Sequence, residues 1–182
     1  GVLAASPNEL PIMRQAGLIL EKFGIPNEVQ IMSSSRTPDL VDEYARTAAE
    51  RGLRVVVCST GISGHLAAAV AARTIIPVIG VPIASPPQML GNEALAITAQ
   101  MPTGVPIATV GVDAAVNAAV LAAQAFGQRR GEAPPRRLGI RATDRALRRG
   151  DLVRKQLREP RTRHRKGSRC HGRVALERHR SA

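Results

Sequence analysis

The sequence predicts an α/β protein, a three-layer sandwich around a central parallel sheet. Three observations carry that prediction. Short apolar runs rich in β-branched residues alternate with stretches at helical spacing. The helical stretches, at roughly 10–15 residues, are long enough to serve as crossovers between parallel strands. Segments of small residues follow the apolar runs, where turns at the carboxyl ends of strands would fall.

The elements follow in order. Val2 and Leu3 form an apolar start. Residues 10–23 place Leu10, Met13, Gly17, Leu20 and Phe23 near helical spacing and stop at Gly24, Ile25 and Pro26, as an amphipathic helix does. Residues 28–32 read as a short strand. Thr37, Pro38 and Asp39 open a second helix, with Pro38 in its first turn, Asp39, Asp42 and Glu43 placed against the positive dipole end, and Gly52 closing it. Residues 53–58, LRVVVC, have the composition of a strand buried on both faces. Residues 59–64 are a small-residue turn, 65–74 an Ala-rich helix, 77–82 another strand, 106–112 a last strand, and 114–126 a long Ala-rich helix. The expected architecture is flavodoxin-like or Rossmann-like, in which ligands bind beyond the carboxyl ends of the strands.

Charge divides the chain. Residues 1–127 hold 7 Lys+Arg against 9 Asp+Glu, whereas residues 128–182 hold 19 against 5, so the net charge of +12 comes wholly from the C-terminal part. The expected organisation is a nucleotide-binding α/β domain over 1–127, a Pro- and Arg-containing linker over 128–142, a C-terminal helix over 143–157 and a basic, disordered tail over 158–182.

With 182 residues and 44% hydrophobic content, the chain is long enough for one domain with a real core. No apolar run reaches the roughly 18–20 residues that a membrane span needs, and no secretion-type leader opens the chain, so a cytoplasmic protein is expected. Cys58 and Cys170 fit no metal-ligand spacing and read as free thiols. Residues 67–72 and 117–125 are so rich in Ala, Val and Leu that their helices lack a polar face, which points to burial by other subunits, the alternative being a tightly packed monomer.

Three loops follow strands and lead into helices. The first runs through Ala4, Ala5, Ser6, Pro7, Asn8 and Glu9; the second through Ser33, Ser34, Ser35 and Arg36; the third through Ser59, Thr60, Gly61, Ile62, Ser63, Gly64 and His65. Small residues let backbone N–H groups approach an anion, helix N-termini add partial positive charge, and Arg36 supplies a forked donor suited to phosphate. A phosphorylated small molecule is the ligand this pattern suggests. Any one such loop is ordinarily only a helix cap. Three at one sheet edge describe a site.

At specific positions the sequence resembles the carboxyaminoimidazole ribonucleotide mutase family, PurE. The residues carrying the resemblance are Phe23-Gly24-Ile25-Pro26, Ser33-x-x-Arg36-Thr37-Pro38, Tyr44-Ala45, Arg51-Gly52, PVIGVP over 77–82, QMPTGVP over 100–106, Thr109 and Asn117-Ala118-Ala119. The resemblance implies a three-layer α/β fold, an octamer with shared active sites, no cofactor, no metal, and a nucleotide monophosphate substrate. It also implies movement of a carboxyl group from an exocyclic nitrogen to a ring carbon of an aminoimidazole ribonucleotide, or carboxylation with free carbon dioxide.

The departures from the family pattern bear on chemistry. The family's S-x-S-D loop stands here as Ser6-Pro7-Asn8-Glu9, with a longer acid. Its S-A-H-R stands as Ser33-Ser34-Ser35-Arg36, so the His serving the family as proton shuttle falls on Ser35. Its glycine-rich run stands as residues 59–68, keeping part of the glycine pattern and His65. A neutral Ser hydroxyl does not replace imidazole as general acid or base near pH 7 without activation. The candidate catalytic residues are therefore Ser35, Glu9 and His65, with His65 also open to a purely structural reading. The candidate substrate-binding residues are Ser6, Glu9, Ser33, Arg36, Thr60 and Gly61. Cys58 reads as core.

Three functions stay open: a mutase-type enzyme whose substrate or reaction has drifted, the ordinary purine-pathway mutase with an altered shuttle, and a catalytically silent nucleotide-binding homologue. The tail's charge suits phosphate neutralisation on nucleic acid, but it has no aromatic residue for stacking, and an accidental Arg-rich extension accounts for it as well.

Overall fold

The computed structural model describes residues 1–61, 65–84 and 91–130. The expected linker beyond Arg130, the helix over 143–157 and the tail over 158–182 lie outside the described residues.

Among the described residues ten elements alternate: β1 (Val2–Ala4), α1 (Leu10–Lys22), β2 (Val29–Ile31), α2 (Pro38–Thr47), β3 (Val56–Thr60), α3 (His65–Ala71), β4 (Val78–Pro82), α4 (Asn92–Ala99), β5 (Ala108–Thr109) and α5 (Ala115–Arg130). All strand pairs are parallel, in the order β2-β1-β3-β4-β5. This is the flavodoxin-like order, and it reverses direction between β1 and β3, the switch point at whose carboxyl ends folds of this kind form their ligand crevice.

The central strands are buried along their whole length. β1, β3 and β4 expose almost nothing, which is why their sequences are continuous apolar runs rather than alternating ones. Side chains nevertheless alternate between the two faces of the sheet. On one face Leu3, Val56, Cys58 and Val78 pack with Val41, Tyr44 and Ala45 of α2 and Leu66, Ala67 and Val70 of α3. The opposite face carries α1, whose Met13, Ala16, Gly17, Ile19 and Leu20 are buried, and α5, through Ala115, Ala118, Ala119, Ala122 and Ala123.

Small residues decide how closely the layers approach. A Cβ on Gly80 would lie 2.5 Å from Thr98 Cγ2 and 3.1 Å from Ile107 Cγ2, so glycine in the middle of β4 is what lets α4 sit on the sheet. Gly91 begins α4 with φ +90°, and a Cβ there would lie 2.4 Å from Val112 Cγ1. Asp113, at φ 54°, fastens the end of β4: its N–H donates to Pro82 O at 2.8 Å and its Oδ1 accepts from Ala84 N at 3.0 Å. Asp is among the few residues besides glycine that adopt this left-handed conformation.

The element boundaries depart from expectation in ways that bear on the site. β3 begins at Val56 and runs through Ser59 and Thr60, which were expected in a turn. These two residues pair with Val81 and Pro82 of β4, and that pairing carries the strand through them. β5 shrinks to Ala108–Thr109, an edge strand with one neighbour. α4 was not expected at all, and α5 continues to Arg130. Among the described residues no helix is long and apolar enough to cross a membrane.

Candidate active site

The peptide of Ala5, directly after β1, is where the three loops meet. Its N–H donates to Ser59 Oγ at 2.8 Å and to Glu9 Oε2 at 3.1 Å, while its carbonyl accepts from Arg36 Nη2 at 2.6 Å. Ser59 Oγ in turn donates to Glu9 Oε2. One backbone unit thus links the first loop, the second loop and the end of β3, at the mouth of the crevice between β1 and β3.

Local structure explains how each residue arrives there. Residues 6–9 form a turn, with Glu9 N donating to Ser6 O at 3.2 Å, and Glu9 stands at the N-cap of α1. Its carboxylate makes no capping bond to that helix. It reaches back over Ala5 to β3, 50 residues away in sequence.

The second loop is a turn built on Ser33. The backbone N–H groups of Ser35 and Arg36 donate to Ser33 Oγ at 3.4 and 3.3 Å, and Thr37 closes the turn, its hydroxyl accepting from Ser33 N at 2.9 Å and donating to Ser33 O at 3.1 Å. Ser33 is therefore buried and its oxygen occupied by the backbone, which leaves its hydroxyl hydrogen to donate. Ser35 and Arg36 are exposed at the outer side of the turn.

Alternation along β3 separates Ser59 from Thr60. Ser59, 0% exposed, faces Glu9 and Ala5 on the α1 side. Thr60, 1% exposed, faces α4, where its hydroxyl is hydrogen-bonded to Thr98 Oγ1 at 3.0 Å, and Thr98 Oγ1 also donates to Ala94 O at 2.6 Å. The Thr60 side chain thus ties β3 to α4 and does not point into the crevice. Gly61 follows at the strand end, where an added Cβ would lie 2.8 Å from Glu9 Oε1.

The structure accordingly brings Glu9, Arg36 and Gly61 around Ala5, with Ser6 in the same turn as Glu9. His65 is exposed at the start of α3, and among the described residues no contact joins it to this cluster. The residue that sequence reasoning passed over is Ser59. Its signal was a hydroxyl at the end of a strand buried on both faces, where a polar group needs a partner.

Cys58, one residue earlier, lies on the opposite face in the core. Burial pushes its thiol up to about 12, which keeps it protonated and inert. Among the described residues no group of three or more His, Cys, Asp or Glu side chains is placed to hold a metal ion. The arrangement offers a carboxylate acceptor, a guanidinium, Ser hydroxyls and a glycine surface, a set suited to a phosphorylated, hydroxyl-bearing ligand.

Known proteins resemble this chain in sequence and in fold. Residues 1–137 match the family model described as AIR carboxylase. The chain is 45% identical over 127 residues to the N5-carboxyaminoimidazole ribonucleotide mutase of Pyrococcus horikoshii, covering 70% of this chain and 71% of that protein. It is 46% identical over 127 residues to the enzyme of the same name from Thermotoga maritima, covering 70% and 74%. It is 42% identical over 127 residues to the chloroplastic phosphoribosylaminoimidazole carboxylase of Vigna aconitifolia, covering 70% of this chain but 23% of that longer protein. The crystal structure of Treponema denticola PurE superposes with a TM-score of 0.59 at 19% identity, over 89% of this chain and 96% of that one, a likeness of fold. With a family model spanning most of its length and relatives at this identity, the chain belongs to the AIR carboxylase family.

Proposed function

We propose that the protein is an enzyme acting on the carboxylation state of an aminoimidazole ribonucleotide, by carboxyl transfer, carboxylation or decarboxylation. The observation that carries this reading is the convergence of Glu9, Arg36 and the end of β3 on the Ala5 peptide, in a chain whose relatives are named as mutases and carboxylases of such ribonucleotides. Arg36 and the hydroxyls of Ser6 and Ser33 take the phosphate. The carboxylate of Glu9 accepts from the ribose, and Gly61, having no side chain, leaves room for that carboxylate beside the end of β3. Thr60 contributes by fixing the strand end.

The proton-transfer step is where this chain differs. Ser35 occupies the turn position that the family resemblance assigns to the proton-shuttling His, and it brings no group that titrates near neutral pH. Direct carboxylation or decarboxylation exchanges a single proton at the ring carbon, released to or taken from water, whereas the mutase must carry a proton from that carbon to the exocyclic nitrogen that loses its carboxyl, so the direct reaction demands less of a shuttle. We therefore favour a drifted reaction on an aminoimidazole-like ribonucleotide. A silent nucleotide-binding homologue is the second reading, and the same Ser35 supports it.

Incubating the purified protein with carboxylated and with free aminoimidazole ribonucleotide, and following both by chromatography, tests the assignment. Conversion of either establishes the enzyme. Tight binding with no conversion establishes the silent homologue, and no binding of either removes the site assignment.

The proposal extends to assembly. Leu18, Leu40 and Ile75 lie exposed, and a homo-oligomer, an octamer by family resemblance, would cover such apolar surface. Light scattering reads the subunit number directly, and a monomer contradicts it.

A further inference from the structure

We propose that Ser59 is a positioning residue: it pins one carboxylate oxygen of Glu9 so that the other, Oε1, is presented over Gly61 to the ligand. The inference rests on the reading above, in which Glu9 faces the ligand, and adds what holds it there.

Three observations carry it. Glu9 Oε2 receives both available donors, the Ser59 hydroxyl and the Ala5 N–H, whereas no donor among the described residues meets Oε1. Oε1 instead lies 2.8 Å from where a Cβ on Gly61 would stand, above a strand end that presents only hydrogen. Glu9 sits at a helix N-cap, yet its carboxylate is not spent on capping. The two carboxylate oxygens are thus divided in use: one is held by the protein and the other is left with its acceptor capacity at the crevice.

The need for a pin follows from side-chain length. Glutamate has one more rotatable bond than aspartate and more rotamer freedom to lose, so an unrestrained Glu9 would spend much of its time away from the ligand. Ser59 removes that freedom before binding, and because it is fully buried in β3 it is itself immobile. Gly61 completes the arrangement. A Cβ there would crowd Oε1 at 2.8 Å, and because the crowded atom is the far end of a flexible chain, the substitution would move Glu9 while costing the fold little.

Calorimetry with aminoimidazole ribonucleotide on the full chain tests this in a double-mutant cycle. Ser59→Ala and Gly61→Ala should each weaken binding by about ten-fold, the loss expected when a charge-assisted contact is misaligned. In a Glu9→Ala background both substitutions should change affinity by less than about two-fold, because the group they act through is gone. A purely structural role for Ser59 would lower affinity equally in both backgrounds, and a direct clash between an alanine at position 61 and the ligand would persist in the Glu9→Ala background. Either result overturns the inference. If Ser59→Ala fails to fold, Gly61→Ala decides between these outcomes. Wild-type protein that does not bind the ribonucleotide overturns the functional reading, whereas wild-type binding with additive effects overturns only the positioning role.

Discussion

Arg36 donates through Nη2 to the carbonyl of Ala5 at 2.6 Å, 31 residues earlier in the chain, and so holds the loop after β2 against the loop after β1. The contact uses one face of a planar fork with five donors, and the exposed remainder stays free to meet an anion.

Arg36→Ala should weaken binding of a nucleotide monophosphate by about ten-fold or more, since hydrogen bonds to a charged group contribute roughly 1.5–3 kcal/mol. Arg36→Lys should recover only part of the loss, because an ammonium cannot bridge carbonyl and phosphate with a planar fork. Calorimetric titration reads both. An unchanged affinity for Arg36→Ala would remove this residue from the site.

Ordinary mutase activity should be low in the unmodified protein, because general acid–base catalysis contributes about 10²–10⁴-fold and Ser35 does not provide it at neutral pH. Ser35→His alone should recover little. A shuttle misplaced by about 1 Å can lose on the order of 100-fold, and the neighbouring loop differs at Asn8 and Glu9. Ser35→His, Asn8→Ser and Glu9→Asp together should raise the rate. A normal enzymatic rate in the unmodified protein would instead assign the ordinary mutase reaction.

Gly80→Ala should destabilise the fold by about 1–3 kcal/mol, the usual cost of overpacking a close-packed core. The added carbon would meet Thr98 Cγ2 and Ile107 Cγ2. Combining it with Thr98→Ser, which deletes the obstructing methyl and keeps the hydroxyl bonded to Thr60 and Ala94, should return part of the loss. Thermal denaturation of the single and double variants reads the difference.

Glu28 should make a small, pH-dependent contribution to stability through Arg51, which pairs with it and also lies over the Tyr44 ring, 4.9 Å from its centroid. Burial alone would raise the Glu28 carboxyl, but the neighbouring Tyr44 hydroxyl and Arg51 guanidinium outweigh it and hold the group below its ordinary 4.5. Of the two partners, only Arg51 meets Glu28 in hydrogen-bond geometry; the buried Tyr44 hydroxyl does not. A carboxyl with a lowered folded-state pKa stabilises above its unfolded value and loses that contribution as pH falls. Glu28→Gln should therefore lower Tm slightly at pH 7, with a difference from wild type that vanishes as pH drops below 4.5 and shrinks in high salt, as befits a partly exposed pair. A difference independent of pH would assign the effect to packing.

Periodicity and turn chemistry by themselves determined much of this molecule. α1 and α2 are readable because one face is apolar and Pro or Gly marks their ends, and β3 and β4 because strands buried on both faces must be continuously apolar. The three loops, and the expectation that Ser33 and Arg36 meet an anion, follow from residue types alone. Strand order does not, since β1 lies between β2 and β3 through pairings that local sequence leaves unspecified. α4 escaped because its eight residues, largely apolar, carry neither a helical stripe nor a side-chain cap. The tertiary structure also decided which of two adjacent hydroxyls meets Glu9. Ser59 and Thr60 are chemically alike and both buried, but the two-residue alternation of a strand sends Ser59 to Glu9 and Thr60 to Thr98, and only the register of β3 against its neighbours sets which is which.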